Sequence, residues 1–177
     1  VVGIGPGHPM DRTRRAEEAI ARAEVVVGYD LYLEHVADLL AGKARISSGM
    51  TAEVERCRAA LEAAVLGRNV ALISSGDAGV YGMAGLALEM ATREGFSVPI
   101  RIVPGVSAAS AAAAALGAPL MLDWACLSLS DLLVDWTQIR RRLEAVAEAD
   151  LVAALYNPRS RNRVRHLEEA AEIFLRH

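Results

Sequence analysis

Cysteine is scarce in this chain of 177 residues. Cys57 and Cys126 lie far apart, outside any CxxC pattern and with no histidine at ligand spacing. Neither a disulfide framework nor a zinc site is suggested, and both residues read as reduced thiols of a cytoplasmic protein. His8, His35, His166 and His177 show no metal-ligand spacing either, so no metal is expected. An excess of one charge is also lacking: Lys+Arg 19 against Asp+Glu 22 leaves −3. Such a balance gives no general affinity for nucleic acid or an anionic membrane. The phosphate-cradling pattern GxxxxGK[ST] does not occur. The dinucleotide pattern GxGxxG fails at His8, although Asp30 could imitate its ribose-binding acid, which keeps a nucleotide-dependent oxidoreductase as an alternative. One long uncharged run exists, residues 102–122, roughly long enough for a bilayer. Pro104, Gly105, Gly117 and Pro119 interrupt it, and the unbroken part, 107–116, would rise only about 15 Å as a helix. A buried, alanine-rich helix is expected there instead.

Aromatic residues make up only 5%, against a hydrophobic share of 53%. Small side chains suit tight helix-on-sheet packing and backbone brought close to a ligand. Strand and helix patterns alternate along the chain. Strands are expected at 1–4, 25–27, 45–47, 70–73 and 100–103, and helices at 13–23, 31–40, 51–66, 81–93 and 107–116. Connections of this length imply a mostly parallel sheet and an α/β fold. Residues 1–117 form the expected first domain. Residues 118–177 form a linker and the start of a second α/β domain, with strands at 127–129 and 151–156 and helices at 136–147 and 162–176. Two strands make an incomplete sheet, so this domain reads as truncated at its C-terminal end. The opening on Val1 and Val2 reads as a start inside a first strand.

Ligands of open α/β sheets collect at the carboxyl ends of strands, and four such ends carry unusual strings. The first is Gly3-Ile4-Gly5-Pro6-Gly7, whose glycines admit close backbone approach. The second runs from Ser74 to Met83 and includes Ser75, Gly76, Asp77 and Val80; Asp77 either accepts hydrogen bonds from a ligand or caps the next helix. The third is Pro104-Gly105-Val106-Ser107-Ala108, where Ser107 is a helix cap or a ligand contact. The fourth is Tyr156-Asn157-Pro158, a ligand contact or a plain turn.

These strings resemble, in order and along essentially the whole chain, the tetrapyrrole (corrin and porphyrin) methyltransferases that use S-adenosylmethionine. Within that class GDAGVYGMAG, GAPLMLDW, LSLSDLL and LYNPRSR are most similar to the precorrin-3B C17-methyltransferases of cobalamin biosynthesis. The sequence departs from the family where a threonine-proline pair is expected and Val134 and Asp135 stand. The resemblance implies two α/β domains with a cofactor cleft between them, and S-adenosylmethionine held by Pro6, Ser75, Gly76, Asp77, Val80, Ser107, Ala108, Tyr156 and Asn157. It implies methyl transfer to C17 of precorrin-3B with ring contraction to precorrin-4, or the same chemistry on a cobalt-containing ring. A homodimer is implied as well.

Contraction needs a poised acid or base. Asp123, Ser130 and Asp131 are the candidates, with Ser130 and Asp131 alternatively a helix-capping pair and Asp123 a linker residue. A substrate rich in carboxylates needs local positive charge, which Arg140 to Arg142 or Arg159 to Arg165 could supply. Arg159 and Arg161 are the substrate-binding candidates, with Met83 beside them. Tyr29, Tyr32 and Met50, near Glu53 and Arg56, could line the same cleft.

Overall fold

The computed structural model describes residues 1–49, 51–118 and 120–177; Met50 and Pro119 lie outside them. Two compact units divide the chain, Val1–Ala112 and Ala113–His177. The division falls inside a helix, whereas the sequence reading places it after Gly117.

In the first unit four parallel strands, β1 (Val2–Gly3), β2 (Val25–Tyr29), β3 (Ala44–Ser48) and β4 (Val70–Ser74), lie in the order β1-β4-β2-β3. Successive side chains of a strand face opposite ways, so β2 feeds two cores. Val26 joins Ala71 and Ile73 under α1 (Arg14–Arg22) and α2 (Asp30–His35). Val25 and Val27 join Leu72 under α3 (Glu53–Val65) and α4 (Ala84–Glu94). Coverage of both faces explains the unbroken apolar β-branched run of β2, the pattern of a buried parallel strand.

Three expectations are corrected here. The fifth strand reduces to an isolated parallel bridge, Val2 with Val103, held by Gly3 N–H donating to Val103 O at 2.9 Å and Val103 N–H to Val1 O at 2.8 Å. Pro99 and Pro104 bracket it, and proline donates no ladder hydrogen bond. The helix expected from Tyr81 starts at Ala84, because Tyr81 is left-handed (φ 52°), and residues 79–83 form turns closed by Ala84 N–H on Ala78 O at 3.0 Å. The alanine-rich α5 (Ala108–Leu116) is mostly exposed, with Ala109 its one buried residue. Alanine forms helix from backbone propensity without an apolar stripe to bury. Among the described residues no helix is long and apolar enough to cross a membrane.

The second unit pairs β5 (Trp124–Ser128) with β6 (Val152–Tyr156) in parallel, from Trp124 opposite Val152 to Ser128 opposite Tyr156. α6 (Trp136–Glu148) and α7 (His166–Phe174) pack on that pair through Leu129, Ile139, Leu143, Ala170 and Ile173. Asp135 caps α6, its carboxylate accepting from Thr137 N–H at 2.8 Å. The capping role considered for Ser130 and Asp131 therefore belongs to Asp135, at the site of the family departure.

Candidate active site

Three strand-end loops of the first unit are joined by backbone. Gly5 and Gly76 exchange reciprocal hydrogen bonds, 3.1 and 2.8 Å, tying the loop after β1 to the loop after β4. Ile4 N–H donates to Ser74 O at 2.9 Å. The third loop closes on both: a Cβ at Gly105 would lie 2.2 Å from Gly76 O and 2.8 Å from the Gly3 carbonyl carbon. Only an absent side chain permits that approach.

Asp77 fastens the junction. One carboxylate oxygen accepts from Gly79 N–H at 2.8 Å and the other from Gly105 N–H at 2.9 Å. It does not cap α4, whose N-cap is Met83. Thr13 adds a further tie: its hydroxyl accepts from Ala16 N–H at 3.1 Å, capping α1, and donates to Pro104 O at 3.3 Å.

Around the knot, Pro6, Ser75, Val80 and Ser107 are half-buried, Gly76 is buried and Ala108 is exposed. Ser107 accepts from Ser110 N–H at 3.3 Å at the start of α5, as the capping alternative requires. Gly76 is left-handed (φ 62°), and a Cβ there would be in ordinary contact with the third loop, 3.6 Å from Ala108 N and 3.9 Å from Val106 O. Met83, the third substrate-binding candidate, faces the core. It is 6% exposed and packs with Val27, Cys57, Leu72 and Met90, since the Gly82 turn directs it into the sheet.

Tyr29, Tyr32 and Arg56 meet at the same edge of the sheet. The tyrosine rings stand edge to face with centroids 5.2 Å apart, and the Arg56 guanidinium lies 5.9 Å from the Tyr29 centroid. Arg56 is buried, with Ser48 Oγ accepting from it at 2.9 Å and Gly49 O at 2.8 Å. It braces the end of β3. A cavity of about 890 Å³ opens beside Val1, Asn69, Val70 and Ile100. Those residues lie at the amino ends of the strands, opposite to the loops, so it is not the candidate site.

In the second unit the candidate residues converge on Arg163, which the sequence groups with Arg159, Arg161 and Arg165 without choosing it. Arg163 is 5% exposed. Its guanidinium donates to Asn157 O at 2.9 Å, to Ser130 Oγ at 3.0 Å and to Asp131 Oδ1 at 3.4 Å. Asn157 is left-handed (φ 52°), and its amide donates to Ser128 Oγ at 2.9 Å. Tyr156 is half-buried and Asn157 exposed. Asp131 also meets His166 Nε2 at 3.2 Å, and the His166 ring lies 4.0 Å from that of Trp136. Asp123, Arg159 and Arg161 are exposed; Arg159 stands 3.8 Å from Glu168. The signal for Arg163 was available as an arginine six residues beyond Asn157, but periodicity does not tell a folded-back arginine from a solvated one.

Asp131 is held below the ordinary carboxylate value of 3.8, first by its own backbone N–H and then by His166 and Arg163, against the opposing cost of desolvation. A depressed folded-state value adds stability that is present above 3.8 and lost as pH falls through the folded value. Asp131→Asn is therefore expected to flatten the acid limb of a melting-temperature profile and leave the neutral limb's shape unchanged. An unaltered acid limb would contradict this pairing.

Parallel strands with glycine-lined loops at their carboxyl ends define an α/β ligand-binding protein. A family model of the Tetrapyrrole (Corrin/Porphyrin) Methylases matches residues 1–177, and the chain belongs to that family. It is 51% identical over 173 residues to a Salmonella typhimurium protein named probable cobalt-factor III C(17)-methyltransferase, covering 98% of this chain and 72% of that one. The crystal structure of the methyltransferase CobJ superposes with a TM-score of 0.91 at 37% identity, over 99% of this chain and 74% of that chain. A Thermus thermophilus uroporphyrin-III C-methyl transferase, complexed with S-adenyl homocysteine, superposes with a TM-score of 0.72 at 26% identity over 97% of this chain and 74% of that one. Across the curated relatives compared, the chain spans between 34% and 72% of their length.

Proposed function

We propose that this protein transfers the methyl group of S-adenosylmethionine to C17 of a tetrapyrrole of cobalamin biosynthesis, with contraction of the ring. The observation that carries this reading is the knot of three loops around Gly3, Gly76 and Gly105, within a chain 51% identical to a relative named for C17 methylation. Cobalt-factor III is the substrate favoured by that relative's name. Precorrin-3B is the second reading, favoured by the strings LSLSDLL and LYNPRSR.

The donor supplies a methyl group on a sulfonium, already electrophilic. The protein's task is then alignment, which can account for about 7 to 11 kcal/mol of barrier lowering when two reactants are held in near-attack geometry. The loops suit that task. Ser75, Ser107 and Ala108 bring backbone close to a ligand with little side-chain bulk, Pro6 and Val80 line the same loops, and Gly76, whose amide and carbonyl are both bonded to Gly5, holds the loops together. Asp77 acts by fixing the loops, since both of its oxygens are engaged by backbone amides. Tyr156 and Asn157 complete the proposed cofactor set. The exposed guanidinium groups of Arg159 and Arg161 offer forks for ring carboxylates. For the contraction, Asp123 is the exposed acid–base candidate, whereas Ser130 and Asp131 are held by Arg163.

Calorimetric titration with S-adenosylhomocysteine is expected to give a dissociation constant of about micromolar order. Incubation with S-adenosylmethionine and, in parallel, cobalt-factor III or precorrin-3B is expected to add one methyl group to the former by mass spectrometry. Methylation of precorrin-3B alone would select the second reading. No binding of S-adenosylhomocysteine would overturn both.

A further inference from the structure

We infer that Arg163 is a positioning residue, which holds the loops after β5 and β6 in the one arrangement that presents Asn157 to the cofactor. This inference rests on the proposed cofactor role of Asn157. Arg163 is among the few buried polar or charged residues in the structure, and nothing in the methyl transfer itself requires it.

Its three nitrogens reach three acceptors on two loops. Asn157 O belongs to the loop after β6; Ser130 Oγ and Asp131 Oδ1 belong to the loop after β5. A fourth tie shapes its own segment, as Arg163 N–H donates to Ser160 Oγ at 3.0 Å and Ser160 N–H returns to Arg163 O at 3.2 Å. The Arg163 side chain is 6% exposed and that of Asp131 40%, so the guanidinium is desolvated and depends on these partners.

The backbone at Asn157 explains why the anchor is needed. Asparagine enters the left-handed region more readily than other non-glycine residues, and its surroundings select that conformation among the extended and helical alternatives. Here the Asn157 carbonyl is fixed by Arg163 and its side-chain amide by Ser128 Oγ. Ser128 Oγ also accepts from Ser130 N–H at 3.2 Å. Asn157, Ser128, Ser130 and Arg163 thus form one closed hydrogen-bond circuit, with Asp131 attached to it through Arg163. Only a planar fork with several donors can occupy its centre; a lysine ammonium is one point of charge on a flexible stem. Ser130 and Asp131 consequently hold the fork in place.

The test compares wild type with Arg163→Lys, Arg163→Met and Ser130→Ala, measuring melting temperature and S-adenosylhomocysteine affinity on each folded protein. Arg163→Lys is expected to melt near wild type yet bind about tenfold to a hundredfold more weakly, and KM for S-adenosylmethionine is expected to rise more than kcat falls. Ser130→Ala removes one arm and is expected to weaken binding by about threefold. A merely structural role would lower the melting temperature and leave the affinity of the folded fraction unchanged. Unchanged affinity in Arg163→Lys and Ser130→Ala, with wild type binding normally, would overturn the inference even if Arg163→Met fails to fold. Wild type failing to bind would overturn the proposed function together with the inference that rests on it.

Discussion

Gly105→Ala is expected to abolish measurable S-adenosylhomocysteine binding and to lower the melting temperature by roughly 6 to 12 °C, corresponding to a loss of about 3 kcal/mol. The new Cβ would lie 2.2 Å from Gly76 O and 2.8 Å from both C and O of Gly3. All of these are backbone atoms in loops already bonded to one another, so no rotamer change relieves the overlap. Relief requires separating the third loop from the other two. That breaks the Gly105 N–H bond to Asp77 and opens the junction where the cofactor is proposed to sit. Gly42→Ala is the control. Gly42 is left-handed (φ 73°) with no atom within 4 Å of a Cβ, so alanine there carries backbone strain of about 1 to 2 kcal/mol and no overlap. Its ligand affinity should match wild type. Equal, small effects of the two substitutions on binding would contradict the loop knot.

Asp77→Ala comes next in size. Two amides, Gly79 and Gly105, lose a charged acceptor at 2.8 and 2.9 Å. Hydrogen bonds to charged groups contribute about 1.5 to 3 kcal/mol each, so a total near 3 kcal/mol is expected, partly recovered by water at the exposed Gly79. Asp77→Asn keeps one oxygen and faces the other amide with a donor, which should give about half the loss. Affinity for S-adenosylhomocysteine is expected to fall more than tenfold in the alanine variant, with the asparagine variant between it and wild type. Were Asp77 chiefly a ligand contact, both variants would weaken binding with the melting temperature unchanged. That result would assign Asp77 to the ligand and remove it from the framework.

Much of the first unit was legible in the chain because its signals are local. The β-branched run at Val25 to Val27 names a strand covered on both faces, and four of the five expected strands of this unit form. The strings after β1, β4, 103 and β6 were readable for a similar reason, being glycine, proline and asparagine at fixed offsets from strands. What escaped reading depends on distance in sequence. Nothing local says that Met83 turns inward, since that follows from left-handed Tyr81 and the Gly82 turn. The exposure of α5 was hidden because an alanine run has the same pattern whether covered or bare. Arg163 looked like one member of a charged stretch, and only the fold brings it to Asn157, Ser130 and Asp131. Asp77 reads in the sequence as an acceptor for a ligand or a helix cap, whereas in the fold its two oxygens are turned to amides of this chain, one of them 28 residues away.

The alternation of β2 has a consequence for how the site responds to change elsewhere. Helices α1 and α2 set the height of one side of the sheet, and α3 and α4 set the other, with only a single layer of backbone dividing them. The loop after β1 leads into the first pair and the loop after β4 into the second, yet the two loops share the Gly5–Gly76 bridge. Each helical layer therefore connects through its own loop to this one bridge. Ile20 and Cys57, in the cores on opposite sides of the first unit's sheet, are thus linked through layers whose loops share the same two amides.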